Sequence, residues 1–97
     1  MKESDLLNQL IRAAYPVVEL YRINVGSVKT ADGRWFSTGA PKGYPDLSGE
    51  IPKQRTKSGT ALPIYIEGKV YPNKPTPEQI AFLEKKKADG CIAGVCY

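Results

Sequence analysis

The most informative absence in this 97-residue sequence is histidine, which does not occur at all. Without imidazole, the chain cannot by itself build a Ser-His or Cys-His nucleophile pair, or a zinc or haem site with histidine ligands. General acid–base chemistry therefore falls to carboxylates, lysine or tyrosine. Cysteine is nearly absent too, with only Cys91 and Cys96. Five residues apart on one strand, they point to opposite faces, which predicts two buried free thiols and no disulfide framework.

Long apolar runs are also missing, since no stretch approaches the ~18 residues that a membrane-spanning helix needs. The N-terminal sequence MKESDLLNQL has acids at Glu3 and Asp5 and lacks the uninterrupted apolar segment of a secretory signal. We therefore expect a cytoplasmic protein with no membrane partner. Its 41% apolar and 25% charged residues are ordinary globular usage, and its length predicts a single domain over residues 1–97.

Hydrophobic periodicity and capping signals predict a mixed α/β domain in which two helices flank a small sheet. The predicted elements are, in chain order, a helix over 4–15, a strand over 17–25, a hairpin turning at Asp32-Gly33 between Val28 and Trp35-Phe36, strands over 46–51 and 62–70, a helix from Thr76 to Gly90, and a strand over 91–95. Ser4 or Asp5 can cap the first helix. Thr76, Pro77 and Gln79 provide a capping box for the second.

The residues best suited to chemistry are Asp46, Glu67 and Lys69. Glu67 and Lys69 are two apart at the end of an apolar strand, so their side chains leave the same face. Asp46 is the first residue of the strand that should pair with the strand carrying Glu67. Two carboxylates at the ends of adjacent strands can share a hard cation such as Mg²⁺. Lys69 can orient or deprotonate a water, or hold a phosphate. The alternative is a surface Glu67–Lys69 ion pair that contributes ~0–1 kcal/mol.

The order and spacing of several segments resemble the VRR-NUC family, the virus-type replication-repair nucleases of the PD-(D/E)XK superfamily. These segments are Glu3 at the start of the first helix, RINVG from Arg22 to Gly26, KGYPDLSG from Lys42 to Gly49, and IEGK with PTPEQIAFL and DGCIAGV. The resemblance covers residues 3–95 and implies a restriction-endonuclease-like αβββαβ core. Two positions depart from the family pattern: Gly68, where an apolar β-branched residue is commoner, and Cys91, where glycine is usual.

The resemblance also implies roles for individual residues. Asp46 and Glu67 would bind Mg²⁺ or Mn²⁺, with the Gly68 carbonyl as a further ligand. Lys69 would be the catalytic lysine, and Gln79, at the start of the second helix, would lie near the site.

A helix-borne acid, Glu3 or alternatively Asp5, would also reach the metal.

The activity implied is that of a metal-dependent, structure-specific DNA endonuclease without an organic cofactor. Stand-alone members of the family are typically viral or phage proteins, which would place this one in the host cytoplasm. They resemble Holliday-junction resolvases of DNA repair and recombination and act as homodimers on branched DNA. Two alternatives are a non-catalytic DNA-binding module with a nuclease-like fold, and a small interaction protein whose charges form surface pairs.

Basic residues supply candidate DNA contacts, because the net charge of +4 permits a polyanionic partner without requiring one. The candidates are Arg22, Asn24, Lys42, Lys53, Arg55 and Lys57. The last three belong to an exposed basic turn over 52–60, for which a solvated loop is the alternative. Arg22 and Asn24 share one strand face, for which a polar stripe is the alternative. For Trp35, Tyr44 and Tyr65, packing is favoured over stacking on unpaired bases.

Overall fold

The first helix, α1, spans Glu3–Ala14 and presents its apolar stripe to the sheet, with Leu6 and Leu7 buried. It begins one residue before the predicted start because its N-cap residue is Lys2; the predicted capping by Ser4 or Asp5 is wrong. Asp5 lies within the first turn, where its Oδ2 accepts a hydrogen bond from the Lys2 backbone N at 3.4 Å. Helix α1 ends before Pro16, which cannot continue the hydrogen-bond ladder.

The structure, a computed structural model, describes residues 2–23, 27–29, 31, 35–37 and 42–97. Its strands are β1 (Glu19–Arg22), β2 (Ser27–Lys29), β3 (Trp35–Ser37), β4 (Leu47–Ile51), β5 (Leu62–Gly68) and β6 (Ile92–Cys96). Strands β2 and β3 pair antiparallel with Val28 opposite Phe36, as the predicted hairpin requires. The Asp32-Gly33 turn itself lies outside the described residues. The strand predicted over 17–25 is shorter, spanning Glu19–Arg22.

The main sheet has four strands in the order β1-β4-β5-β6. Strand β4 is antiparallel to β1 and β5, whereas β5 and β6 are parallel, so the sheet is mixed. The parallel pair is joined by a crossover through the second helix, as parallel strands require. With the separate β2–β3 hairpin set aside, the element order is αβββαβ. This confirms the predicted α/β class with a small mixed sheet and two helices.

The second helix, α2, spans Pro77–Ala88 and begins at the predicted capping box. Thr76 Oγ1 accepts from Gln79 N at 3.2 Å, and Gln79 Oε1 accepts from Thr76 N at 2.8 Å. Proline stands at the first helical position, where its missing N–H leaves no bond unmade. Gly90 follows the helix with φ of +93°, the left-handed conformation that favours glycine as a stop signal.

The two helices lie on opposite faces of the sheet. Successive side chains of β5 point to opposite faces, and they contact different helices. Ile64 joins Leu7 of α1, Leu20 and Leu47 in the buried core on one face. On the other face, Tyr65 contacts an aromatic cluster whose ring centroids are 5.1 to 6.0 Å apart; its members are Tyr44, Tyr65 and Phe82. Packing of Tyr44 and Tyr65 is thus confirmed, while the Trp35 side chain lies outside what the structure describes.

Two further features bear on the sequence predictions. Among the described residues, no helix is long and apolar enough to cross a membrane. Cys91 and Cys96 are free thiols, but both are half-buried and not buried as predicted. Cys96 ends β6 and Cys91 immediately precedes it, and β6 is an edge strand of the four-stranded sheet, which leaves these side chains less covered than a central strand would.

Candidate metal centre

The centre of the candidate site is a reciprocal pair formed by Asp46 and Glu67. In the β4–β5 ladder Leu47 is opposite Ile66, so Asp46 and Glu67 stand side by side at the same end of the sheet. Glu67 Oε2 accepts from the Asp46 backbone N at 3.3 Å. In return, Asp46 Oδ2 accepts from the Gly68 backbone N at 3.3 Å. Strand register thus brings together two residues that are far apart in sequence.

Glu3 adds a third carboxylate from α1. One carboxylate oxygen from each of Glu3, Asp46 and Glu67 lies within 4.8 Å of the other two. Of the two acids considered for this role, the structure brings Glu3 to the cluster, whereas Asp5 accepts a hydrogen bond from Lys2. We call these three residues the carboxylate cluster. Because they come from α1, the start of β4 and β5, the cluster depends on how the helix is seated on the sheet.

Glu67 is the most buried member of the cluster, with only 1% of its surface exposed. Burial, followed by the hydrogen bond and repulsion from Asp46, raises the pKa of Glu67 to about 7, although the Lys69 ammonium opposes the shift. A divalent cation would offset this accumulation of negative charge. Three carboxylates form a hard oxygen donor set, which fits Mg²⁺ or Mn²⁺ better than a soft metal.

Lys69 faces the cluster from just beyond the end of β5. Its Nζ lies 3.5 Å from Glu67 Oε1, and only 13% of its side chain is exposed. Its backbone N donates to Cys96 O at 2.9 Å, which ties this segment to β6 after the strand ends. The predicted common face of Glu67 and Lys69 therefore brings the two side chains together, and the ammonium is directed at the carboxylates rather than left in bulk solvent.

Gln79 links the second helix to the cluster. Its Nε2 donates to Glu67 Oε1 at 3.1 Å, while its Oε1 accepts from the Thr76 backbone N at 2.8 Å. One side-chain amide therefore completes a helix cap and orients a buried carboxylate. The capping box was visible in the sequence, but the contact with Glu67 depends on how the helix crosses over the sheet.

Gly68 takes part in the site through its backbone N–H; the carbonyl ligand implied by the resemblance stays a prediction. A methyl group at this position would lie 2.6 Å from Leu7 Cδ2. The absence of a side chain at Gly68 therefore allows α1 to seat Leu7 directly on β5. This contact offers a physical reason for glycine at a position where the VRR-NUC pattern more often has a β-branched residue.

We expect Gly68→Ala to destabilise the protein by ~1–3 kcal/mol, because the added methyl group overpacks the α1–β5 contact. Gly94→Ala is the matched control, since no described atom lies within 4 Å of a methyl group placed there. Urea unfolding of both variants measures the difference, and adding Leu7→Ala to Gly68→Ala should recover part of the loss. Equal effects at Gly68 and Gly94 would contradict this packing relationship.

A cavity of about 270 Å³ adjoins the cluster. Its lining residues are Leu7, Arg22, Ile23, Gly43, Tyr44, Asp46 and Gln79. Arg22 and Asp46 thus line the same cavity, and a guanidinium there can bind phosphate. Asn24 falls outside the described residues. Lys42 is nearby but highly exposed, and its Nζ lies 3.7 Å from Glu78 Oε1.

The basic turn between β4 and β5 is not brought to the cluster. Lys53 and Arg55 form a short 3₁₀ turn, Lys57 follows it, and all three are exposed. The cluster stands where β4 begins and β5 ends, so the turn occupies the opposite end of this strand pair. At ~3.4 Å per residue, the five residues of β4 separate them by ~17 Å. Any DNA contact by this turn would lie away from the carboxylates.

Two residues of the site were not candidates in the sequence. Leu7 counted only as part of the apolar stripe of α1, although a glycine among the proposed site residues hinted at close backbone approach. Ile23 lines the cavity, and its N donates to Asp46 O at 2.9 Å, which continues the β1–β4 pairing to the acid.

Comparison of this chain with protein-family models, with curated proteins and with solved structures gives no match.

Proposed function

We propose that this protein is a metal-dependent, structure-specific DNA endonuclease that hydrolyses phosphodiester bonds. The observation that carries the proposal is the convergence of three carboxylates, Glu3, Asp46 and Glu67, with the Lys69 ammonium 3.5 Å from the most buried of them. An acidic cluster alone is common on protein surfaces. A buried carboxylate that accepts from Gln79 and faces a lysine with little solvent exposure is less common, because burying charge is costly unless the charges are used or paired.

In this proposal each residue has a separate role. Glu3, Asp46 and Glu67 hold Mg²⁺ or Mn²⁺, which would supply a Lewis acid that polarises the phosphoryl group and lowers the pKa of water. Gln79 fixes the orientation of the Glu67 carboxylate. Lys69 donates hydrogen bonds toward the scissile phosphate or the attacking water, where its positive charge offsets the negative charge that develops on phosphorus.

We infer that the substrate is branched DNA, with the four-way junction of recombination and repair as the first candidate. This choice rests on the resemblance to the VRR-NUC family, and Arg22, which lines the same cavity as Asp46, supports it as a candidate phosphate contact. The same resemblance supports a phage origin and action in the host cytoplasm.

A four-way junction needs two symmetric cuts, so we propose a homodimer with two sites. Light scattering should then give twice the 10.7 kDa of one chain, and a monomer at micromolar concentration would contradict the dimer.

The proposed activity is tested by incubating the protein with a labelled four-way junction or a linear duplex, each with Mg²⁺, Mn²⁺ or EDTA. We expect paired, symmetric nicks in the junction that depend on the metal and are absent with Glu67→Ala. The matched control is Glu84→Ala, which removes an exposed carboxylate of α2. It should cut as the unaltered protein does, so that the loss of cutting with Glu67→Ala is specific to the cluster and excludes a contaminating nuclease.

Other outcomes would favour the alternatives. Binding of the junction without cutting in either metal would support a non-catalytic DNA-binding module. If neither Mg²⁺ nor DNA changes the melting temperature, the protein is an interaction protein and the Glu67–Lys69 contact is a structural ion pair, because a ligand that binds the native state must raise its stability. The structure already excludes the predicted surface pair, since Glu67 is buried.

A further inference from the structure

A second, larger cavity of about 460 Å³ lies on the α2 side of β1, β4 and β5. The residues that matter for its chemistry are Tyr21, Ile23, Tyr44, Ser48, Glu50 and Tyr65. We call it the tyrosine cavity. Its volume falls within the ~300–1,000 Å³ of ordinary small-ligand pockets, so it is large enough for a single planar ring system.

The tyrosine cavity begins beside the carboxylate cluster. Ser48 follows Asp46 by two residues and Tyr65 precedes Glu67 by two, so each pair shares a sheet face at a separation of ~7 Å. Ile23 and Tyr44 line both this cavity and the smaller one next to Asp46. A nucleotide whose phosphate lies at the cluster can therefore direct a neighbouring base into the tyrosine cavity.

The lining favours a nucleobase over other parts of DNA. Three tyrosine rings supply flat surfaces of the kind on which single-stranded bases stack. The Glu50 carboxylate and the Ser48 hydroxyl can accept hydrogen bonds from amino groups on a base edge. The same carboxylate repels a phosphate, so the sugar–phosphate backbone is the less suitable occupant.

Tyr21 is the most exposed of these rings, with 57% of its surface accessible. Its hydroxyl donates to Glu19 Oε2 at 3.0 Å, which holds the side chain along the β1 face. Tyr44 and Tyr65 are instead held within the aromatic cluster beneath α2. The cavity thus has a fixed inner wall and an accessible outer ring, as a stacking site for an incoming base requires.

We propose that the tyrosine cavity binds one unpaired DNA base next to the scissile phosphate. The position relative to the cut rests on the proposed endonuclease function, whereas the binding of the base does not. A base in intact duplex would first have to leave its stack, which costs free energy that a base already unpaired does not require. Forks and flaps present such bases at the branch point, and a base beside the crossover of a four-way junction leaves its stack more easily than one inside intact duplex, so the cavity selects branched over linear DNA.

The test compares two DNA forks that differ at one unpaired nucleotide at the branch point, which either carries its base or is abasic. Fluorescence anisotropy in EDTA measures binding without cutting. We expect the full-length chain to bind the abasic fork about tenfold more weakly, because a stacked base is lost. Tyr21→Ala should remove this difference. Tyr97→Ala, which changes another exposed tyrosine outside the cavity lining, should keep it.

The remaining outcomes separate this proposal from the nuclease. Equal binding of both forks, or no binding of either, overturns the base site, as does an equal effect of Tyr97→Ala. A change in molecular mass with Tyr21→Ala would overturn it too, because a second copy of the chain would then cover the cavity. Cutting in Mg²⁺ without discrimination between forks refutes only the base site. Discrimination without cutting refutes the nuclease and leaves a base-binding site.

Discussion

Lys69→Met is expected to reduce DNA cleavage by ~100- to 10,000-fold while leaving divalent-cation binding in place. The Lys69 Nζ lies 3.5 Å from Glu67 Oε1 with little solvent exposure, so the substitution removes a positive charge from the place where phosphate would react. Methionine keeps an unbranched side chain of similar bulk, which limits the packing loss. The carboxylates that would hold the metal are untouched.

The measurement combines single-turnover cleavage of the four-way junction with the shift of melting temperature on adding Mn²⁺. Lys85→Met is the matched control, since Lys85 is exposed in the last turn of α2. We expect the Lys69 variant to keep the Mn²⁺ shift and lose cleavage, and the Lys85 variant to keep both. A Lys69 variant that cuts normally would exclude the lysine from the reaction. Loss of both signals together with stability would indicate a structural role.

The second large effect concerns pH and stability without metal. The pKa of Glu67 is raised to about 7 in the folded chain, against an ordinary value of 4.5 in the unfolded chain. The native state therefore holds a proton that the unfolded state releases, so this residue's contribution to stability is complete below pH 4.5 and is lost as the pH rises to about 7. At ~1.4 kcal/mol per pH unit, the loss is of order 3 kcal/mol.

Urea unfolding in EDTA between pH 5 and pH 8 measures this loss, with Glu67→Gln as the comparison because glutamine does not titrate. The difference in free energy of unfolding between the two proteins should change across that range, and Glu84→Gln should show no such change. Adding Mg²⁺ should stabilise the unaltered protein more at pH 8 than at pH 5, because the cation competes with the proton on Glu67. Parallel pH profiles for Glu67→Gln and the unaltered protein would contradict the raised pKa.

Local signals in the sequence were sufficient for most of the secondary structure. The capping box at Thr76 and the stop at Gly90 act within one or two helical turns, so α2 was predicted nearly to the residue. The alternation along β5 was equally clear. The start of α1 was misplaced because Lys2 has no side chain typical of a cap, and the long strand over 17–25 was overestimated.

Only part of the candidate site could be predicted from the sequence. The pairing of Asp46 with Glu67 could be expected from two strands joined by a short turn, and the side-chain alternation placed Lys69 with Glu67. The choice of Glu3 over Asp5 could not be predicted, because it depends on where α1 packs along the sheet. The close approach of Leu7 to Gly68 is one of the packing contacts on which that position depends.

The sequence by itself determined the element types, the αβββαβ order and the acidic residues that we propose to hold a hard cation. Only the tertiary structure decided that three carboxylates meet, that the basic turn lies ~17 Å away at the other end of β4 and β5, and that the tyrosine cavity adjoins the cluster. The physical reason is the distance along the chain over which the interactions act. Caps and strand alternation depend on neighbours a few residues away, whereas register, helix seating and cavities arise from contacts between segments far apart in the chain.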